Sequence, residues 1–255
     1  MPDPVVRTTL HYARLAGLGY LVIIASGIFA EFFVRSSLIV PGDAAATAGN
    51  IAASELIFRG GLASEFLMLA ADVMVAGALY VVFRTVDRNL ALLAAFFRLT
   101  HASIVGVNLL NMYVPLLLLG GADPLAALGE GQRQALALLL LQAHGYGYAI
   151  GLVFFGVCCA ILGYLVLRSR YVPRTLGVLL LLAAAGYLID SFGRTLLTSY
   201  ARYETLLGTV VLLPAFVAEV SFCLWLVVKR VDAGRVERFL ESAPHRRSQI
   251  FPETA

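Results

Sequence analysis

An all-α bundle of membrane-spanning helices is the fold class this 255-residue chain predicts, and three observations predict it. Sixty per cent of the residues are apolar and 14% are charged, against roughly 25% charged in an average soluble domain. The apolar residues gather into runs of about 20 or more, the length a helix needs to cross ~30 Å of hydrocarbon. Basic residues then segregate between the connections on alternate sides of those runs. Together these features exclude a disordered chain and leave no room for a second folded domain beside the bundle. A net charge of +3 is too small an excess to point to nucleic acid.

Six spans follow in order, at about 15–34, 62–83, 90–118, 135–167, 175–198 and 206–228, within a transmembrane domain of residues 1–231. The first is expected to be retained as an anchor, because no small-residue cleavage site follows it. The connection from Ser36 to Gly61 opens with Pro41–Gly42–Asp43, a turn and helix-cap signal, and continues through an Ala-rich stretch suited to one or two short interfacial helices, with Gly60–Gly61 closing it. The second and third spans are joined by the short turn Arg84 to Asn89 and are therefore antiparallel neighbours. Along the third, Arg98, His101, Asn108 and Asn111 fall within about 140° of one another, a polar side that must face the bundle.

Gly120 to Arg133 reads as an ordinary turn. The fourth span is long enough to tilt or project beyond the lipid, and its Gly147 and Gly151 mark close helix packing. Asp190 and Arg194 stand at i and i+4 on the fifth, the order that favours pairing along one helix. After the sixth, residues 232–255 form a polar tail, helical to about Glu241 and disordered beyond. Cys158, Cys159 and Cys223 lie inside apolar runs, where thiols behave as small hydrophobes.

With both termini in the cytoplasm, thirteen Lys and Arg fall inside and four, Arg35, Arg59, Arg133 and Arg202, fall outside. This bias orients the chain as a multi-pass protein of a bacterial cytoplasmic (inner) membrane, with the lipid bilayer as its partner.

Several of these positions form a pattern. The segment Gly17 to Glu31 with Arg35, the stretch from Gly42–Asp43 through Asn50, Ser54–Glu55 and Phe58–Arg59, then Asp72 and Phe97–Arg98, resemble the bacterial integral membrane family catalogued as domain of unknown function 4386. The likeness covers about residues 10–230. It implies a multi-span membrane protein and attaches no activity to any residue.

The polar residues inside the spans carry the functional question, because a charge at the bilayer centre costs about 2.5–3.5 kcal/mol on insertion scales. They are Glu31, Glu65, Asp72, Arg98, His101, Asn108, Asn111, His144, Asp190, Arg194 and Glu219. At ~1.5 Å per residue, Asp72, Arg98 and His101 reach the midplane, so Asp72 can meet Arg98 or His101. Glu31, Glu65, Asn108 and His144 fall in the outer half, Asp190 and Arg194 near the outer surface, and Glu219 closer to the midplane layer. Five acids against two arginines leave three negative charges to be relieved by protonation, charged histidines, water or a bound cation.

The leading expectation is a non-enzymatic one: a small polar or cationic species, or protons, bound or passed by a gate of Asp72, Arg98 and His101 behind a mouth of Glu31, Glu65, His144, Asp190 and Arg194. Its bland counterpart makes Asp72 and Arg98 a structural ion pair. A second class is a metal-assisted intramembrane hydrolase acting on a lipid, with His101, His144, Asp72 and Asp190 as ligands and Glu65 as base. No HExxH or HxxxH spacing supports it, and neither a metal nor a cofactor is assigned. A third is a structural or sensory membrane subunit whose tail meets a partner.

Overall fold

The computed structural model describes residues 3–120, 127–207, 209–210, 213–229 and 231–242, and every regular element among them is helical. The first helix, α1 (Pro4–Ile28), begins well before residue 15. Asp3 accepts a hydrogen bond from the Val5 N–H at 2.9 Å, and Pro4 supplies a preset φ at the first helical position. Beyond Ile28 the chain continues through a π-helical stretch, Phe29–Arg35, as far as Leu38.

The next helix, α2 (Ala44–Ala53), is capped by the Asp43 carboxylate, which accepts from the Ala46 N–H at 2.8 Å. Gly42 makes the preceding turn at φ +79°, a backbone region that disfavours residues with a Cβ. The connection closes earlier than expected. Helix α3 (Glu55–Phe83) already contains Gly60 and Gly61, and a Cβ at Gly61 would lie 2.6 Å from Val34 Cγ2, so this glycine serves packing and not a turn. Asn50 and Thr47 tie α2 to the segment before it, through the Leu38 carbonyl and the Val40 N–H.

Helices α4 (Arg88–Asn108) and α5 (Leu110–Leu119) run on almost without interruption, the Leu109 N–H still reaching the Val105 carbonyl at 3.1 Å. They are followed by α6 (Glu130–Ser169), α7 (Arg174–Leu196), α8 (Tyr200–Leu207), α9 (Leu213–Leu224) with a π-helical continuation Trp225–Lys229, and α10 (Ala233–Glu241). Residues 121–126 of the expected turn and 243–255 of the expected tail lie outside the described residues.

Five helical segments among the described residues are long and apolar enough to cross a membrane: Pro4–Leu38, Glu55–Phe83, Arg88–Leu119, Glu130–Ser169 and Arg174–Leu196. The expected sixth span corresponds to the shorter apolar stretch Leu213–Val228, and residues 208, 211 and 212 of its expected length are outside the described set. Large apolar side chains such as Phe32, Leu56, Val107 and Leu139 stand exposed along these helices, which suits a lipid surround and not water.

The chain divides into two compact units. Unit 1 comprises Met1–Leu21, Asp72–His101 and Leu152–Ala255, and unit 2 comprises Val22–Ala71 and Ala102–Gly151. Within unit 1, α6 and α7 touch backbone to backbone: a Cβ at Gly163 would lie 2.8 Å from the Gly177 carbonyl oxygen, and one at Gly177 would lie 2.9 Å from that of Gly163. Within unit 2, Val34, Leu38, Ile51, Phe58, Leu62, Met112, Leu116 and Leu141 form one buried apolar cluster. That cluster seats α2 against the helices carrying the polar residues described next.

Candidate functional site

In unit 1 the polar side of α4 is buried, as its wheel position requires. Arg98 and Asp72 meet at 2.6 Å with side-chain exposures of 2% and 7%. A second Arg98 nitrogen donates to the Tyr20 hydroxyl at 2.9 Å, and the guanidinium lies 4.8 Å from the Tyr20 ring centroid and 5.2 Å from that of Phe155. Flat aromatic faces on a weakly hydrated, planar cation offset part of its desolvation. The cavity beside Arg98, walled by Ala76, Ala94, Cys158 and Leu162 among others, holds about 10 Å³, which is room for at most about one water.

Arg98 takes up the Asp72 carboxylate, and the His101 ring packs on Phe155 at 4.9 Å. Phe155 in turn meets Tyr187 edge-on at 5.5 Å, and the Tyr187 hydroxyl donates to the half-buried Glu219 carboxylate. Asp190 and Arg194 pair at 3.1 Å along α7, as their spacing dictates. Tyr200 completes that group, donating its hydroxyl proton to Asp190 while its ring lies 4.7 Å from the Arg194 guanidinium carbon.

Unit 2 holds a different arrangement, built on the π-helical turn. There the Ser36 N–H reaches back five residues to the Glu31 carbonyl, and the Ser36 hydroxyl and Arg35 Nε both bond the Glu31 carboxylate, at 3.1 and 2.7 Å. Arg35 Nη1 also reaches Glu65 on α3, at 2.6 Å. The three side chains grade from outside to inside: Glu31 is 51% exposed, Arg35 20% and Glu65 3%. π-helical turns are frequent at functional sites, although another, Trp225–Lys229, carries none of these side chains.

His144, buried on α6, lies within electrostatic reach of Arg35 and Glu31. Its carbonyl accepts from Asn108 Nδ2 at 2.8 Å, and Asn108 Oδ1 accepts from Asn111 at 2.9 Å. Gly147 makes this possible, since a Cβ there would lie 2.1 Å from Asn108 Oδ1. Two buried polar atoms in unit 2 meet no hydrogen-bond partner among the described residues: Glu65 Oε2 and His144 Nε2.

The expected site residues thus sort by unit. Asp72, Arg98, His101, Asp190, Arg194 and Glu219 belong to unit 1, and Glu31, Glu65, Asn108 and His144 to unit 2. The four candidate metal ligands are divided the same way, and among the described residues no three His, Cys, Asp or Glu side chains gather as a set that could hold a metal ion. Arg35, the hub of the unit 2 cluster, is one of the four basic residues expected outside, and its i,i+4 spacing from Glu31 is the sequence signal for the pairing. Tyr20, Tyr187 and Tyr200 carried none, because a tyrosine in or beside an apolar run looks like any interface aromatic.

Residues 15–229 match the model of a family described as Domain of unknown function (DUF4386). An uncharacterized protein of Archaeoglobus fulgidus is 30% identical over 164 residues, which are 64% of this chain and 80% of that protein. No solved structure matches.

Proposed function

The chain belongs to the family described as domain of unknown function 4386, and on that premise we propose a membrane protein that binds a small polar or cationic species at Glu31, Arg35, Glu65 and His144. In this reading the Leu213–Val228 stretch completes a sixth span, both termini are cytoplasmic, and α2 lies along the outer interface. The excess of basic residues on one side supports that orientation.

One observation carries the assignment: Glu65 Oε2 and His144 Nε2 are both buried and unpartnered in a unit whose one nearby arginine is already shared by two carboxylates. A buried polar atom left without a partner costs about 1–3 kcal/mol, so a cluster with a bare carboxylate oxygen and a bare imidazole nitrogen is poised for a guest that would satisfy them. Two carboxylates around one guanidinium leave a single negative charge, the charge a monovalent cation cancels. Glu31, half in the open, gives such a guest a way in. Asp72 and Arg98 then act as the lock of unit 1, because almost no space adjoins them.

Thermal unfolding of the purified protein in neutral detergent tests this. Ammonium and methylammonium chloride are compared with choline chloride at equal ionic strength, since the described residues gather no set that could hold a metal ion. At least one of the two should raise Tm by an amount that grows with the logarithm of its concentration. Glu65→Gln, which keeps an acceptor for Arg35, should remove that increment. If no salt separates from choline, or Glu65→Gln keeps the whole increment, the assignment fails.

A further inference from the structure

Outside the polar clusters described so far, unit 1 carries a groove of about 280 Å³ lined by Arg170, Arg235, Arg238, Phe239 and Ser242. One water molecule occupies roughly 30 Å³, so the groove admits a group far larger than a solvent molecule. Three guanidiniums around one concavity repel each other unless an anion joins them. Among the described residues none of the three is paired with a carboxylate, although Glu237 and Glu241 share a helix with Arg235 and Arg238.

Arg170 is held there at some cost. It sits one residue past the end of α6 at φ 59°, the left-handed region where helices commonly place glycine or asparagine, and it is the one non-glycine residue with positive φ among those described. Its neighbours fix it rigidly. Ser169 is fully buried, its hydroxyl donating to the Val166 carbonyl, and Tyr171 is fully buried, its hydroxyl donating to the Val82 carbonyl at 2.8 Å. Arg168, by contrast, folds back on Tyr164 and is not part of the groove. Facing Arg170, α10 is capped by Asp232 and buries Val236, Phe239 and Leu240, with Phe239 edge-on to Tyr171 at 5.5 Å. This docking brings Arg235 and Arg238 to the groove. The Ser242 hydroxyl proton is committed to the Phe239 carbonyl, which leaves the guanidiniums as the donors.

We propose that Arg170, Arg235 and Arg238 form a headgroup site for an anionic phospholipid, gripping its phosphate at the end of α6. The position in the chain selects a lipid: the groove begins where the apolar run of α6 that ends at Leu167 gives way to Arg168–Ser169–Arg170, and basic residues directly after an apolar span lie at the headgroup level. Guanidiniums are also the side chains suited to forked contacts with phosphate oxygens.

The test is native mass spectrometry of the full-length protein released from neutral detergent, titrated with dioleoylphosphatidylglycerol or dioleoylphosphatidylcholine. The wild type should favour phosphatidylglycerol. Arg170→Gly should cut that preference about fivefold, the weight of one arginine near a charged headgroup layer, without lowering Tm, because glycine suits φ 59°. Replacing Arg235 and Arg238 with Gln as well should abolish the preference. Equal adduct yields for the two lipids in the wild type, or an unchanged preference in Arg170→Gly, overturn the proposal. Displacement of phosphatidylglycerol by equimolar glycerol 3-phosphate would make this a site for soluble phosphate esters and overturn the lipid assignment. Each outcome is independent of whether the Glu65 cluster takes a cation.

Discussion

In unit 1 the Asp72 carboxylate ends on Arg98, Arg98 on Tyr20 and two aromatic faces, and the space left over holds about 10 Å³. In unit 2 the equally buried Glu65 spends one oxygen on Arg35 and leaves the other bare, and His144, within electrostatic reach of the same arginine, has a bare ring nitrogen. Both arrangements follow from the same rule, that charge taken out of water must be matched. Arg98 Nε also lacks a partner among the described residues, so the units differ not in having bare atoms but in charge: one carboxylate meets one guanidinium in unit 1, and two carboxylates share one in unit 2. Where the charges balance, substitution should cost stability. Where carboxylate is in excess, substitution should cost binding and leave the fold.

The largest effect should come from breaking the closed pair. Asp72→Ala leaves the Arg98 guanidinium buried without its counter-charge, which costs about 3–5 kcal/mol. Asp72→Asn should also destabilise, since the amide cannot neutralise the cation. Adding Arg98→Met to Asp72→Ala should recover much of the loss, because two buried charges then vanish together. Unfolding of the three variants in one detergent measures this. If Asp72→Ala is no less stable than Glu65→Ala, the contrast between the units is wrong.

A smaller effect is expected at Gly147, where packing and the open cluster meet. Gly147→Ala puts a methyl group into the Asn108 amide, a flexible group that can swing away only by giving up its bonds to the His144 carbonyl and Asn111. The cost should be about 1–3 kcal/mol. Once Asn108 is replaced by Ala, Gly147→Ala should add almost nothing, which a double-mutant cycle reads directly.

How much of this could be read from the chain depends on which physical property each feature obeys. Hydropathy and helical rise place Asp72 opposite Arg98 or His101, because a short turn such as Arg84 to Asn89 forces antiparallel neighbours, but depth alone does not choose between the two. Fixed local spacing gave Asp190 with Arg194 and the Asp43 cap. Hydropathy measures apolar length, however, and not hydrogen-bond continuity. It therefore missed that α1 begins at Pro4 and that α3 begins at Glu55, since both helices extend through polar turns. Grouping by depth alone also set Asp190 and Arg194 beside Glu65 and His144, whereas packing assigns them to different units. The role of Gly147 was illegible for another reason: a GxxxG pattern marks close approach without naming what approaches, and here it is a side-chain amide.

The smallest effect should fall on Glu31, and it sharpens the comparison most. Glu31→Gln removes one partner of Arg35, but that pair is half exposed and lies along one helix, where such bridges contribute about 0–1 kcal/mol. Stability should hardly change. The cluster would nonetheless go from one net negative charge to none, so a cation that raises Tm in the wild type should raise it less in Glu31→Gln, at unchanged baseline Tm. A fall in baseline Tm as large as that of Asp72→Asn would mean that the exposed end of unit 2 is structural too. An undiminished cation increment would mean that binding rests on Glu65 and His144 alone, with Glu31 only positioning Arg35 between the two carboxylates.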